Sequence, residues 1–77
     1  MKYIIEAFDK ESDFLAFEIE LPEGCDSQLA QIMGWSAAQR GDEGYNLNAN
    51  QAAAIEALVG RQFYDADHLF QLTCNID

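Results

Sequence analysis

YIIEAFDKESDFLAFEIEL, Tyr3 to Leu21, carries two alternating apolar runs on either side of a polar segment, Asp9–Asp13. Alternation at period two marks a half-buried strand, and a connector of this length joins two such strands as a β-hairpin. Pairing Phe8 with Phe14 sets a register in which Ala7 faces Leu15, Ile5 faces Phe17 and Tyr3 faces Ile19, all on one side of the sheet. The other side then carries Glu6, Glu18 and Glu20, with Lys2 across from Glu20 and with Ile4, Phe8 and Phe14 as outward apolar groups. A slip of one residue would drive Glu18 and Glu20 into the core, so the facing of the hairpin is well specified.

Pro22-Glu23-Gly24 ends the second strand. Asp26 or Ser27 can cap a short helix whose apolar side is Leu29, Ile32 and Met33, ending near Trp35. The polar run Ser36–Asn46, SAAQRGDEGYN, reads as a surface loop. A second helix follows over Gln51–Val59, capped by Asn48 or Asn50 and stopped at Gly60 in the left-handed conformation. Arg61–Asp67 connects it to a last strand, His68–Ile76, with Phe70, Leu72, Cys74 and Ile76 turned inward. The order β-β-α-α-β predicts a single α+β domain over residues 1–77. Its three-stranded antiparallel sheet has the last strand beside the first and two helices packed on one face.

Charge is the strongest global signal: 14 acidic against 4 basic residues, a net of −10. Solubility alone calls for a net charge of about 2–8 in a small domain. A field of this sign repels nucleic acid and anionic membranes and attracts basic partners. The cations, Lys2, Lys10, Arg40 and Arg61, are scattered and form no basic patch, so direct nucleic-acid binding is not expected. No apolar run approaches the roughly 18 residues of a membrane span, and MKYIIEAFDK lacks the apolar core of a secretory signal. A cytoplasmic protein is expected, with Cys25 and Cys74 reduced and mostly packing.

Residues that could carry chemistry are sparse. His68 is the single histidine, and although Asp65 and Asp67 are near it, no triad spacing surrounds it. Asp9-x-Glu11-x-Asp13 with Glu20 mimics a calcium loop, yet Phe14 stands where that loop needs glycine for its sharp turn. Gly41 and Gly44 lack the context of a phosphate-binding loop. Catalytic, cofactor and metal sites are accordingly not expected; the competing possibility is a small enzyme or metal site built on Asp65, Asp67 and His68. The acidic groups point instead to a protein partner. Glu18 and Glu20 line the open sheet face, Glu23 and Asp26 continue from its edge, and Asp65 and Asp67 precede the last strand. Asp42 and Glu43 lie in the loop, which Trp35 and Tyr45 bracket as aromatic anchors of the kind common at interfaces.

YIIEAFDKESDFLAFEIELP and YNLNANQAAAIEAL, together with size and charge, resemble small acidic bacterial immunity proteins of contact-dependent growth inhibition systems. The resemblance implies an antitoxin that binds the C-terminal domain of a cognate toxin and occludes its active site. Toxins of such systems are often basic nucleases, including tRNA-cleaving ones, and the resemblance fixes no binding residue. Independently, a rigid acidic domain can mimic phosphates, steer its own docking and plug a cationic groove. Charge reversal at Glu18 with Glu20 is then expected to weaken partner binding more than reversal at Asp77. The same electrostatics suit an acidic nucleic-acid mimic acting on another host or phage protein, and a small regulatory interaction module stays open beside them.

Overall fold

The computed structural model describes residues 1–76; Asp77, the comparison position for charge reversal, lies outside the described residues. Along the chain run β1 (Lys2–Asp9), β2 (Leu15–Glu20), α1 (Asp26–Met33), β3 (Gly44–Asn46), α2 (Ala49–Val59) and β4 (His68–Asn75). Every pairing is antiparallel, and the sheet order is β2-β1-β4-β3. The α+β class and the neighbouring of first and last strands agree with expectation. The sheet, however, has four strands rather than three. The extra one lies inside the segment read as a loop, where Tyr45 sits opposite Leu72. Three residues are too few to display a period of two. Pairing makes them a strand: the Cys74 N–H donates to the Glu43 carbonyl and the Leu47 N–H to the Phe70 carbonyl, each at 2.9 Å.

The hairpin register also differs from expectation, by two residues. Ile5 lies opposite Ile19 and Ala7 opposite Phe17. An even offset leaves most side chains on their expected faces, so the core survives the error. Its cause is the connector. Asp13 adopts a left-handed φ of 65° and donates its N–H to the Asp9 carbonyl at 2.8 Å, while the Asp9 N–H donates to the Phe14 carbonyl at 2.9 Å. Phe8 is then opposite Leu15 but Ala7 opposite Phe17, so Ala16 is the additional residue of a β-bulge. The turn works without glycine because the Asp9 carboxylate accepts the N–H groups of Glu11 and Ser12, at 2.8 and 3.1 Å. Those bonds, Ser12 foremost, hold the Asp9 carboxyl below its usual range.

Ile5, Ala7, Leu29, Ala52, Ile55 and Leu72 are fully buried in one cluster that joins both helices to the inner face of the sheet. Asn48 caps α2 as expected: its side chain accepts the Gln51 N–H at 2.8 Å, and the Gln51 side chain accepts the Asn48 N–H at 3.0 Å. Gly60 closes that helix at φ 72°. α1 departs from expectation, because neither Asp26 nor Ser27 caps it. Cys25 holds the cap position without a side-chain bond, and the Asp26 carboxylate instead accepts the Tyr3 phenol at 2.5 Å. Two residues expected inward lie outside. Leu15 is turned out by the bulge, and Ile76 follows the end of β4 at 77% exposure.

Candidate functional site

Sheet alternation places Lys2, Ile4, Glu6 and Phe8 of β1 on the face away from the helices, together with Leu69, Gln71, Thr73 and Asn75 of β4. Cross-strand pairing arranges this face in rows. The row nearest the hairpin turn is apolar, Leu15–Phe8–Leu69, and Phe14 stands at its end, 76% exposed. The next row is Glu18–Glu6–Gln71, in which two carboxylates oppose each other directly. Beyond it come Glu20, Ile4 and Thr73, with Lys2 reaching Glu20 at 3.6 Å. Burial, and then the negative charge of Glu18, push the Glu6 carboxyl above its usual range.

A second acidic region lies where the sheet meets the start of α1. One cleft of about 260 Å³ is lined by Lys2, Tyr3, Glu20, Glu23 and Asp26, among others. Its neighbour, about 450 Å³, shares Tyr3 and Asp26 and continues past Ala30 and Trp35. Trp35 packs between Tyr3 and Tyr45, with ring centroids 6.1 and 5.4 Å away, and its buried indole N–H has no acceptor among the described residues. The Tyr45 hydroxyl donates to Gln39 at 2.5 Å. Burial, followed by the Asp26 hydrogen bond, raises the Tyr3 phenol far above its ordinary pKa.

Of the predicted contact residues, Glu18 and Glu20 therefore share the open face. Glu20, Glu23, Asp26 and Trp35 converge on the two clefts, with Tyr45 stacked behind Trp35. The remaining four lie elsewhere. Glu43 turns back on its own loop, accepting the N–H groups of Arg40, Gly41 and Asp42 at 2.8, 2.9 and 3.2 Å. Those amides, Arg40 first, draw its pKa down to about 2. Asp42 sits 3.5 Å from Arg40. Asp65 accepts the Asp67 N–H and meets His68 Nδ1, both at 2.8 Å, and the His68 contact lowers its pKa. Asp67 gives its carbonyl to the Lys10 N–H. The His68 ring itself packs on Phe17 and Phe70, with centroids 5.4 and 6.1 Å apart.

Both cysteines are buried and free of disulfides, and burial raises both thiols, Cys74 to about 11. Among the described residues no group of three or more His, Cys, Asp or Glu side chains is placed to hold a metal ion. No helix among them is long and apolar enough to cross a membrane. A family model described as a domain of unknown function, DUF7683, matches residues 2–73. The chain belongs to the DUF7683 family. No curated protein matches it.

The DUF7683 match runs from the start of β1 into β4, so it takes in most of the open face and of the two clefts. Sequence reading missed the opposition of Glu6 and Glu18, and the joining of Leu15 and Leu69 through Phe8. Both depend on the bulge and on the β1–β4 register, neither of which alternation alone reveals. The Glu6–Glu18 pair has a measurable consequence. Like charges directly opposite in a sheet are destabilising, and exposure of Glu18 screens the effect. Glu18→Gln is expected to raise unfolding stability at pH 7 by about 0.5 kcal/mol, read from urea midpoints. Because the Glu6 pKa is raised in the folded state, its stabilising contribution is complete below the unfolded carboxylate pKa and is lost as pH rises through the folded one. The advantage of Glu18→Gln therefore fades on acidification, and no advantage at pH 7 would show that the pair is not in conflict.

Proposed function

We propose that this DUF7683 chain is a binding protein rather than an enzyme, and that it neutralises a basic partner by occluding a cationic cleft. The observation that carries this is the excess of 14 acidic residues over 4 cations on so small a domain, with Glu6, Glu18 and Glu20 on the open sheet face and Glu20, Glu23 and Asp26 at the cleft beside it. Lys2 and Arg40 face carboxylates, and with all four cations counted the net charge is still −10. With the resemblance to immunity proteins, the partner of choice is a basic nuclease domain of a toxin, and the setting is the cytoplasm. A phosphate-binding groove is the surface that such an anionic body fits best, and neither catalysis nor a cofactor is needed to block it.

The test begins with the product of the neighbouring gene. Mixed with the purified chain, that product is expected to be basic, to form an equimolar complex and to lose its nuclease activity. Association is expected to slow about tenfold as salt rises from about 0.05 M to about 0.5 M, because steering by exposed charge is screened over that range. A product whose toxicity is the same with and without this chain would sink the immunity reading, and association indifferent to salt would remove its electrostatic basis.

A further inference from the structure

We infer that the uncovered sheet face is the docking surface and that its occupant is a basic amphipathic helix of the partner; this rests on the reading that the partner is cationic. Isolated apolar side chains on a surface are ordinary, but this face offers a contiguous set. Leu15, Phe8 and Leu69 are direct neighbours across three strands, with Leu15 47% and Leu69 55% exposed, and Phe14 extends the row. Glu18 and Glu6 form the adjoining row, and Glu20 lies in the one beyond.

The dimensions favour a helix. Three adjacent strands span two inter-strand spacings, about 10 Å, which matches the rise of a helix over about seven residues when it is laid across the strands. A helix laid there with apolar residues at i, i+3 or i+4, and i+7 would cover the Leu15–Phe8–Leu69 row. Lysine or arginine on its flank would reach the Glu6–Glu18 pair. A cation there relieves the repulsion between the two carboxylates, so apolar burial and charge pairing act together. A second copy of this chain is a poor occupant. Face-to-face self-association would bring Glu6, Glu18 and Glu20 of two anionic chains into one poorly hydrated contact.

A leucine–lysine peptide of about 14 residues, long enough as a helix to cross the face, serves as the probe. A peptide of the same composition with its amphipathic order scrambled is the control. The full chain is titrated with each, and amide shifts are mapped by NMR. The amphipathic peptide is expected to bind at least about tenfold more tightly than the scrambled one, with shifts centred on Glu6, Phe8, Glu18, Leu69 and Gln71. Leu15→Ser combined with Leu69→Ser is expected to cost about tenfold in affinity while the melting temperature stays close to that of the parent. Gln31→Ala, exposed on α1 at the helix side of the sheet, is expected to change affinity by less than about twofold. If both peptides bind alike and the double variant matches the parent, the docking surface is wrong while the basic-partner reading stands. Shifts centred on Tyr3, Asp26 and Trp35 would also overturn the surface assignment, in favour of the clefts. Failure of both peptides to bind at low salt would overturn the surface and the basic-partner reading together.

Discussion

Ile55→Ala is expected to lower unfolding stability by about 3 kcal/mol, the range for deleting a fully buried aliphatic side chain into a core that relaxes only in part. Ile55 has no solvent exposure and belongs to the cluster that includes Ile5, Leu29 and Leu72, so its loss leaves a void between α2 and the sheet. Domains of this length have roughly 0.05–0.15 kcal/mol of stability per residue, on the order of 4–12 kcal/mol in all. A loss of about 3 kcal/mol thus removes a large share, and the melting temperature should fall by about 12 °C or more. Leu69→Ala is the informative comparison. It removes a similar side chain from the open face, where Leu69 is 55% exposed, and should cost less than about 1 kcal/mol. Equal losses for the two variants would mean that both faces of the sheet are covered, which would remove the docking surface as well. Chemical and thermal unfolding followed by circular dichroism measures both.

That contrast between faces was legible in the sequence, and its reason is local. Tyr3, Ile5 and Ala7 alternate with Ile4, Glu6 and Phe8, and Phe70, Leu72 and Cys74 alternate with Leu69, Gln71 and Thr73. Period two assigns faces without any knowledge of partners. Register is a different matter, since it depends on the path of the turn. Asp13 in the left-handed region and the bulge at Ala16 moved Ile5 from Phe17 to Ile19, and no alternation pattern encodes that. β3 was hidden for the opposite reason: Gly44, Tyr45 and Asn46 have little strand character of their own and are a strand only because β4 lies beside them. At the helix starts, Asn48 behaved as local chemistry dictates, whereas Asp26 was claimed by the Tyr3 phenol from 23 residues away. The site follows the same division. That Glu18 and Glu20 face outward could be read directly; that Glu6 opposes Glu18, and that Leu15 and Leu69 flank Phe8, required the pairing. Glu43 shows the limit most clearly, because a carboxylate read as a contact group spends its oxygens on three amides of its own loop.

Gly41→Ala is expected to cost about 2 kcal/mol and to loosen β3 selectively. Gly41 has a φ of 111°, a backbone region that is essentially glycine's own, and holding another residue there costs on the order of 1–3 kcal/mol. Space is short as well: an added Cβ would fall within the envelope of Ile76 Cγ1 and 3.1 Å from the Ile76 backbone nitrogen. The Ile76 side chain is exposed and can swing aside, so the backbone conformation supplies most of the cost. The consequence spreads through Glu43, whose carboxylate binds the Gly41 amide and whose carbonyl accepts the Cys74 N–H of β4. With the loop repositioned, the three amides no longer converge, and the Glu43 pKa should climb from about 2 toward its ordinary 4.5. The sign is fixed: a depressed carboxyl contributes stability above the unfolded pKa and loses it as pH falls through the folded one. The parent should therefore lose more stability between about pH 4.5 and about pH 2 than Gly41→Ala does, the difference being the share that Glu43 supplies. Amide exchange at Cys74 and Leu47 should quicken, and Trp35 emission should shift as Tyr45 moves away from it. Gly44→Ala is the control, since Gly44 has no neighbour within 4 Å of an added Cβ and an ordinary φ, and its stability should change by less than about 0.5 kcal/mol. Should Gly41→Ala melt with the parent and leave the Glu43 titration unmoved, the loop is not braced through that glycine, and β3 must be held to β4 by its ladder bonds alone.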